Sequence, residues 1–219
     1  MPDDNELGYL PAWADLVLAY SNDRLSVPLR DLIAFDLRLE MVFTQVKEPA
    51  LAQIRLAWWR DQFNRVIADH QRSPPDPLLA SLIQSWRGEY QALINLIDGW
   101  ESLLVGPPED TLSLSSFENA NASAFSSLAS IAEREQAATD AAMHGRLWGR
   151  AKLLQLELER SSGLEIFLPR IPRTLRSLFI IGGLSRRAIF KGGQPLFGDR
   201  FSPIVAMRLG LVGRPRWHD

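Results

Sequence analysis

The chain has 219 residues, of which 46% are hydrophobic and 23% charged, with no cysteine and a formal net charge of −2. That length supports one good core, and the missing cysteines exclude a disulfide framework, a thiolate nucleophile and a sulfur-ligated zinc site. Residues 1–10 carry three acids and no base, the reverse of a secretory or mitochondrial leader, and no run of about 18 apolar residues is present to span a membrane, so a cytoplasmic protein is expected.

Apolar residues recur at helical spacing along the chain and no stretch alternates like a half-buried strand, which predicts an all-α fold. A short helix is expected near Trp13–Tyr20. A second opens at Val27–Pro28, with the proline in its first turn, and turns Leu29, Leu32, Ile33, Leu39 and Phe43 inward. Pro49 introduces a third over about 50–69, with Leu51, Ile54, Trp58, Phe63 and Val66 near one face, ended by the loop at 73–77. A single fourth helix is expected from Leu78 to Leu104, on a stripe of Leu79, Ile83, Trp86, Tyr90, Leu93 and Ile97.

After a loop at 106–116, Ser115 and Glu118 have the spacing of a capping box, and a helix rich in Ala and Ser is expected from there to Arg160. A last helix, Arg173–Lys191, is predicted to be interrupted at Gly182–Gly183. Residues 192–219 read as an irregular tail outside a helical domain of residues 1–191, and about seven helices are expected in all. The end of the chain is basic: residues 170–219 hold 10 Lys/Arg against 2 Asp/Glu, whereas residues 1–169 hold 14 against 24. Mixed with Ile171, Leu175, Leu178, Phe179, Ile180, Ile181, Ile189 and Phe190, this charge predicts peripheral contact with an anionic membrane, with a solvated basic face as the alternative.

His70, His144 and His218 lack ligand spacing, so no metal site is assigned to them. The basic end carries no nucleic-acid motif, and no nucleic-acid partner is expected.

The segment Ala34-Phe35 followed by Arg55-Leu56-Ala57-Trp58-Trp59-Arg60-Asp61 resembles the squalene/phytoene synthase family, with weaker matches in order at 96–104, 117–125 and Phe167-Leu168-Pro169. The resemblance implies a helical bundle of the isoprenoid synthase type with a central cavity. Active members join two farnesyl or geranylgeranyl diphosphates head to head, using Mg²⁺ held between two aspartate pairs, each pair spaced to share one helix face.

Here the first acidic motif falls at Glu40, Met41 and Thr44, with Asp36 and Glu40 forming an i,i+4 pair a turn early; a surface pair facing solvent or Arg38 is the simpler expectation for those two. The second follows Gly149-Arg150-Ala151-Lys152-Leu153-Leu154 but is shortened, with Arg160 where an aspartate would stand. Glu157 and Glu159 are two residues apart, on different faces. Asp36, Glu40 and Glu157 are therefore the candidate catalytic residues. Arg55, Trp58, Trp59 and Arg60 are the candidate substrate-binding residues, unless the tryptophans pack the core and the arginines sit at the helix ends.

No metal ligands are assigned and no cofactor is expected, with Mg²⁺ implied only for an active enzyme. The spacing is particularly similar to the mitochondrial members that assist respiratory complex I assembly, which also lack the aspartate pairs. The resemblance thus implies a family member without prenyltransferase activity, a binding or assembly factor peripheral to an inner membrane. Its partners would be an isoprenoid diphosphate or lipid and a protein of a respiratory complex. The alternative is an active Mg²⁺-dependent prenyltransferase.

Overall fold

The computed structural model describes residues 10–46, 48–68, 76–105, 110–159 and 167–212. Among the described residues the regular structure is helical: α1 Ala12–Leu18, α2 Asp23–Gln45, α3 Pro49–Ala68, α4 Pro77–Ser85, α5 Tyr90–Val105, α6 Thr111–Ile131, α7 Ala138–Gln155, α8 Arg176–Phe190 and α9 Ser202–Val212. The all-α expectation holds. Several boundaries move, each for a local reason.

The second helix starts before Pro28, because the Asn22 side chain accepts the Leu25 N–H at 2.9 Å and caps it there. Pro28 lies inside α2, and its carbonyl accepts the Trp86 indole N–H at 3.0 Å. The expected 78–104 helix is two helices: Gly88, at φ 92, turns the chain between α4 and α5. The stripe survives the break because both pieces pack on α2. Buried Asp31 accepts from Ser81 (2.6 Å) and Ser85 (2.7 Å) on α4, while Asp76 caps Leu79 and takes Arg38 at 2.7 Å.

The capping box at Ser115 is not used. Asp110 caps α6 instead, accepting the Ser113 N–H at 3.0 Å and its hydroxyl at 2.7 Å. The small-residue run is also two helices, turned by Glu133 at φ 56. α6 and α7 then pack antiparallel and very close: a Cβ on Gly145 would come within 2.3 Å of the Asn121 carbonyl, and one on Gly149 within 3.0 Å of the Asn121 amide.

Gly182–Gly183 does not interrupt α8. The two glycines are where neighbours press in, Gly182 against the His144 ring of α7 and Gly183 against Leu209 of α9. His144 is buried in packing: its Nε2 lies 3.0 Å from the Pro169 carbonyl, and burial lowers its pKa to about 4 despite that bond. His70 and His218 lie outside the described residues.

The C-terminal segment, expected to be irregular, contains α9, whose Ala206 and Leu209 are buried. α8 ends at Phe190, and Gly192 (φ 72) and Gly193 (φ 86) turn the chain just beyond it. Asp199 then starts α9 by accepting the Phe201 (2.9 Å) and Ser202 (3.0 Å) N–H groups and holds Arg187 at 2.8 Å and Lys191. Those bonds keep its carboxyl well below the usual range. The core itself is aromatic-rich, with Trp86, Trp100, Trp148, Phe35, Phe63, Phe117 and Phe125 fully or almost fully buried.

Candidate functional site

The two halves of the sequence signature meet. Phe35 on α2 packs edge-on against Trp59 on α3, ring centroids 5.0 Å apart, and against Phe63 at 5.8 Å. Trp59 is buried, but Trp58 is 40% exposed and Arg55 is exposed. Arg60 is clasped by α5, its Nε donating to Asp98 at 2.9 Å and its NH2 to Glu101. Arg55, Trp58, Trp59 and Arg60 therefore do not converge on a cavity. One packs the core, one ties α3 to α5, and two face outward. The packing alternative describes Trp59, and the four side chains are not gathered at one place, since residues at i, i+3, i+4 and i+5 of one helix cannot all share a face.

The acidic pair behaves oppositely to its expectation. Asp36 and Glu40 do not face solvent or Arg38, which is taken by Asp76. Asp36 is fully buried, and its Oδ1 accepts the Trp100 indole N–H from α5 at 3.0 Å. Its other oxygen accepts from the ammonium of Lys152, on α7. The same ammonium donates to Glu40 at 3.0 Å, and lies 4.8 Å from the Trp148 ring centroid and 5.6 Å from that of Trp100. Burial alone would depress the lysine, but the two carboxylates outweigh it and hold the ammonium above its ordinary pKa.

Lys152 is the member of this cluster that spacing rules missed. On α7 it follows Trp148 by one turn, so it shares the face formed by Trp148, Ala151 and Gln155. That face borders a pocket of about 310 Å³, which is also lined by Trp13 of α1, Glu40 of α2 and Phe197 of the turn before α9. The signal was present as a lone lysine between Ala151 and Leu153, at a position whose neighbours read as core. Trp13 meets Trp148 edge-on at 6.3 Å and closes one side.

Glu157 does not join this cluster. It sits exposed at φ 59 on the turn after α7, and Glu159 pairs with Arg150 at 2.7 Å instead. Its place among the catalytic candidates is corrected accordingly: α7 ends at Gln155, so Glu157 leaves the helix before it can share the Lys152 face. Arg160 lies outside the described residues. The donors that remain fit Mg²⁺ poorly, because an octahedral ion needs the oxygens that Asp36 and Glu40 already direct at an ammonium.

Compared with models of known protein families, with curated proteins and with solved structures, the chain matches none. What the site can do chemically rests on its own geometry. A buried cation bridges two helices through two carboxylates, beside a small, largely apolar pocket with one partly exposed acid.

Proposed function

We propose that this chain is a squalene/phytoene-synthase-like protein that has lost prenyltransferase activity and acts as a binding or assembly factor. One observation carries the reading: Lys152 supplies, from α7, the positive charge that the carboxylates of α2 would otherwise draw from a metal ion. An ammonium so placed cannot gather phosphate oxygens and carboxylates around one centre, which is the task of the ion in diphosphate departure.

What remains suits a ligand without strong negative charge. Asp36, Glu40 and Lys152 together leave a net negative charge beside a pocket lined by Trp13, Trp148 and Phe197. Such a wall favours an apolar chain with a neutral head over a diphosphate, so of the two expected ligands the lipid is preferred. A protein partner in respiratory-complex assembly is the class of role that the sequence resemblance supports.

The competing reading, an active prenyltransferase, gains one point from the structure: Asp36 turns into the core and Glu40 lines the pocket beside it. Incubation of purified protein with Mg²⁺ and farnesyl or geranylgeranyl diphosphate separates the two. We expect the diphosphate to be recovered intact. A C30 or C40 product that disappears in Glu40→Ala overturns the proposal. Quenching of tryptophan fluorescence by farnesol, and not by farnesyl diphosphate, is expected from the pocket charge.

A further inference from the structure

The apolar residues of the basic C-terminal region that the sequence offered to a membrane are mostly spent in the core: Leu175, Leu178, Phe179, Ile180, Ile181 and Ile189 are all buried. A different set is left outside. On α9, Phe201, Ile204, Met207 and Leu211 are each between 48% and 71% exposed, and their spacing of three, three and four places them on one side of the helix. The opposite side, with Ser202, Ala206 and Leu209, is buried against the bundle. The outer side of α9 is thus mostly apolar, with Arg208 as the one charged residue on it. An ordinary surface helix turns a polar face to water.

Charge identifies what covers the outer side. Residues 200–212 contain two arginines and no acid, and the sequence beyond adds Arg214 and Arg216 before the next acid at Asp219. The nearest carboxylate, Asp199, is engaged by Arg187, Lys191 and the first N–H groups of α9. Arg200 lies over the ring of Phe201, 4.9 Å from its centroid. At the end of α8 that Asp199 ties to α9, Arg186 lies 5.2 Å over the ring of Phe190, itself 61% exposed. Exposed phenylalanines carrying arginines, beside an apolar stripe with Arg208 among its residues, match an interface where acyl chains lie beneath anionic headgroups. A protein partner would have to present apolar and acidic surface together.

We propose that the outer face of α9, with Phe190 at its start, docks on the surface of an anionic lipid bilayer and lies in the interfacial plane. It does not span the bilayer, since among the described residues no helix is long and apolar enough to do so. The proposal names a partner surface for the assembly-factor reading and rests on that reading only for its biological setting. The pocket takes no part in it, so vesicle binding and prenyl transfer succeed or fail separately.

The test is co-sedimentation of the full chain with vesicles of phosphatidylcholine alone and of phosphatidylcholine mixed with phosphatidylglycerol. Binding is expected to the mixed vesicles and to fall with added salt. Ile204→Asp combined with Leu211→Asp is expected to weaken it by about tenfold or more, and Arg200→Glu with Arg208→Glu by about tenfold at low salt. Circular dichroism and thermal melts of both variants establish that they are folded. Charge substitutions elsewhere, at Arg55 and Arg65 on α3, are expected to leave binding within about twofold. Equal binding by wild type and the α9 variants overturns the proposal. So does an absence of vesicle binding together with concentration-dependent self-association that Ile204→Asp abolishes, which would assign the face to a second copy of the chain.

Discussion

Replacing Lys152 with methionine keeps the unbranched stem of the side chain and removes the ammonium at its end, which isolates what that charge does. Asp36 is fully buried, and in the variant it keeps only the Trp100 indole as a hydrogen-bond donor. Glu40 is partly exposed and can turn to water. The cost is therefore dominated by one stranded carboxylate, about 3–5 kcal/mol for a buried pair broken on one side. In a chain of this size each kcal/mol moves the melting midpoint by about 2–4 °C, so a fall of roughly 6–20 °C is expected. Adding Asp36→Asn to Lys152→Met removes the stranded charge while leaving an amide oxygen for Trp100, and is expected to recover more than about half of the loss. Urea unfolding at neutral pH, followed by far-ultraviolet circular dichroism, measures both. If Lys152→Met lies within about 1 kcal/mol of wild type, or the double variant is no more stable than the single, the buried bridge is not what holds α2 to α7.

Three further outcomes follow from the same geometry. Lys152→Ala, which vacates the cation position, is expected to gain about 1–2 kcal/mol of stability from 10 mM Mg²⁺ if the acidic pair then binds it at about millimolar affinity. Wild type gains nothing, and an equal response in the two forms refutes the ammonium's role as the resident cation. His144, with its pKa lowered to about 4 by burial, stays neutral in the folded chain while the unfolded chain protonates near pH 6.5. Stability is thus retained above that pH and lost as pH falls toward 4, by roughly 2–3 kcal/mol at pH 4.5; His144→Gln should show that much less loss, and parallel pH profiles in urea melts count against it. Trp59→Ala is expected to cost about 3–5 kcal/mol and Trp58→Ala about 1 kcal/mol, because only the former empties a buried volume. Equal losses in thermal melts refute the division of that signature into a core and a surface residue.

The parts legible in the sequence were those where period and burial agree. Leu29, Leu32, Ile33 and Leu39 read as interior from spacing alone and are buried, whereas the spacing on α3 turned Leu51, Ile54 and Trp58 inward and all three are exposed, with Trp59 buried instead. The turn between α4 and α5 had a visible cause in Gly88, overlooked because the apolar stripe runs across it without a change of phase. The turn between α6 and α7 had none, since a glutamate, not a glycine, adopts the left-handed conformation at Glu133. α9 was signalled by Asp199 three residues before Ser202 and by Pro203 at the helix start, but with apolar residues on both sides and Arg208 as its one charge it offers periodicity little contrast. The site was least legible. Spacing put Asp36 and Glu40 on one face without saying which, and that face was decided by Lys152, far along the chain on another helix.

Lys152 also explains how one acidic pair can be kept without the chemistry it resembles. A divalent ion has to be surrounded, so carboxylates from at least two helices must aim at one point and leave room for the oxygens of a substrate. A lysine needs only a single helix to deliver it, and its three N–H groups can be taken by acceptors on a facing helix. Here Asp36 and Glu40 take two of them, and the Trp148 ring lies against the ammonium. Asp36 therefore stays buried at tolerable cost, because α7 contributes a cation where a metal site would need it to contribute an acid. Glu157, exposed on the turn after Gln155, takes no part in the cluster. The pocket beside Trp13 and Trp148 has Glu40 and Lys152 on its wall. On the function proposed above it holds a neutral chain, with a bilayer against the outer face of α9.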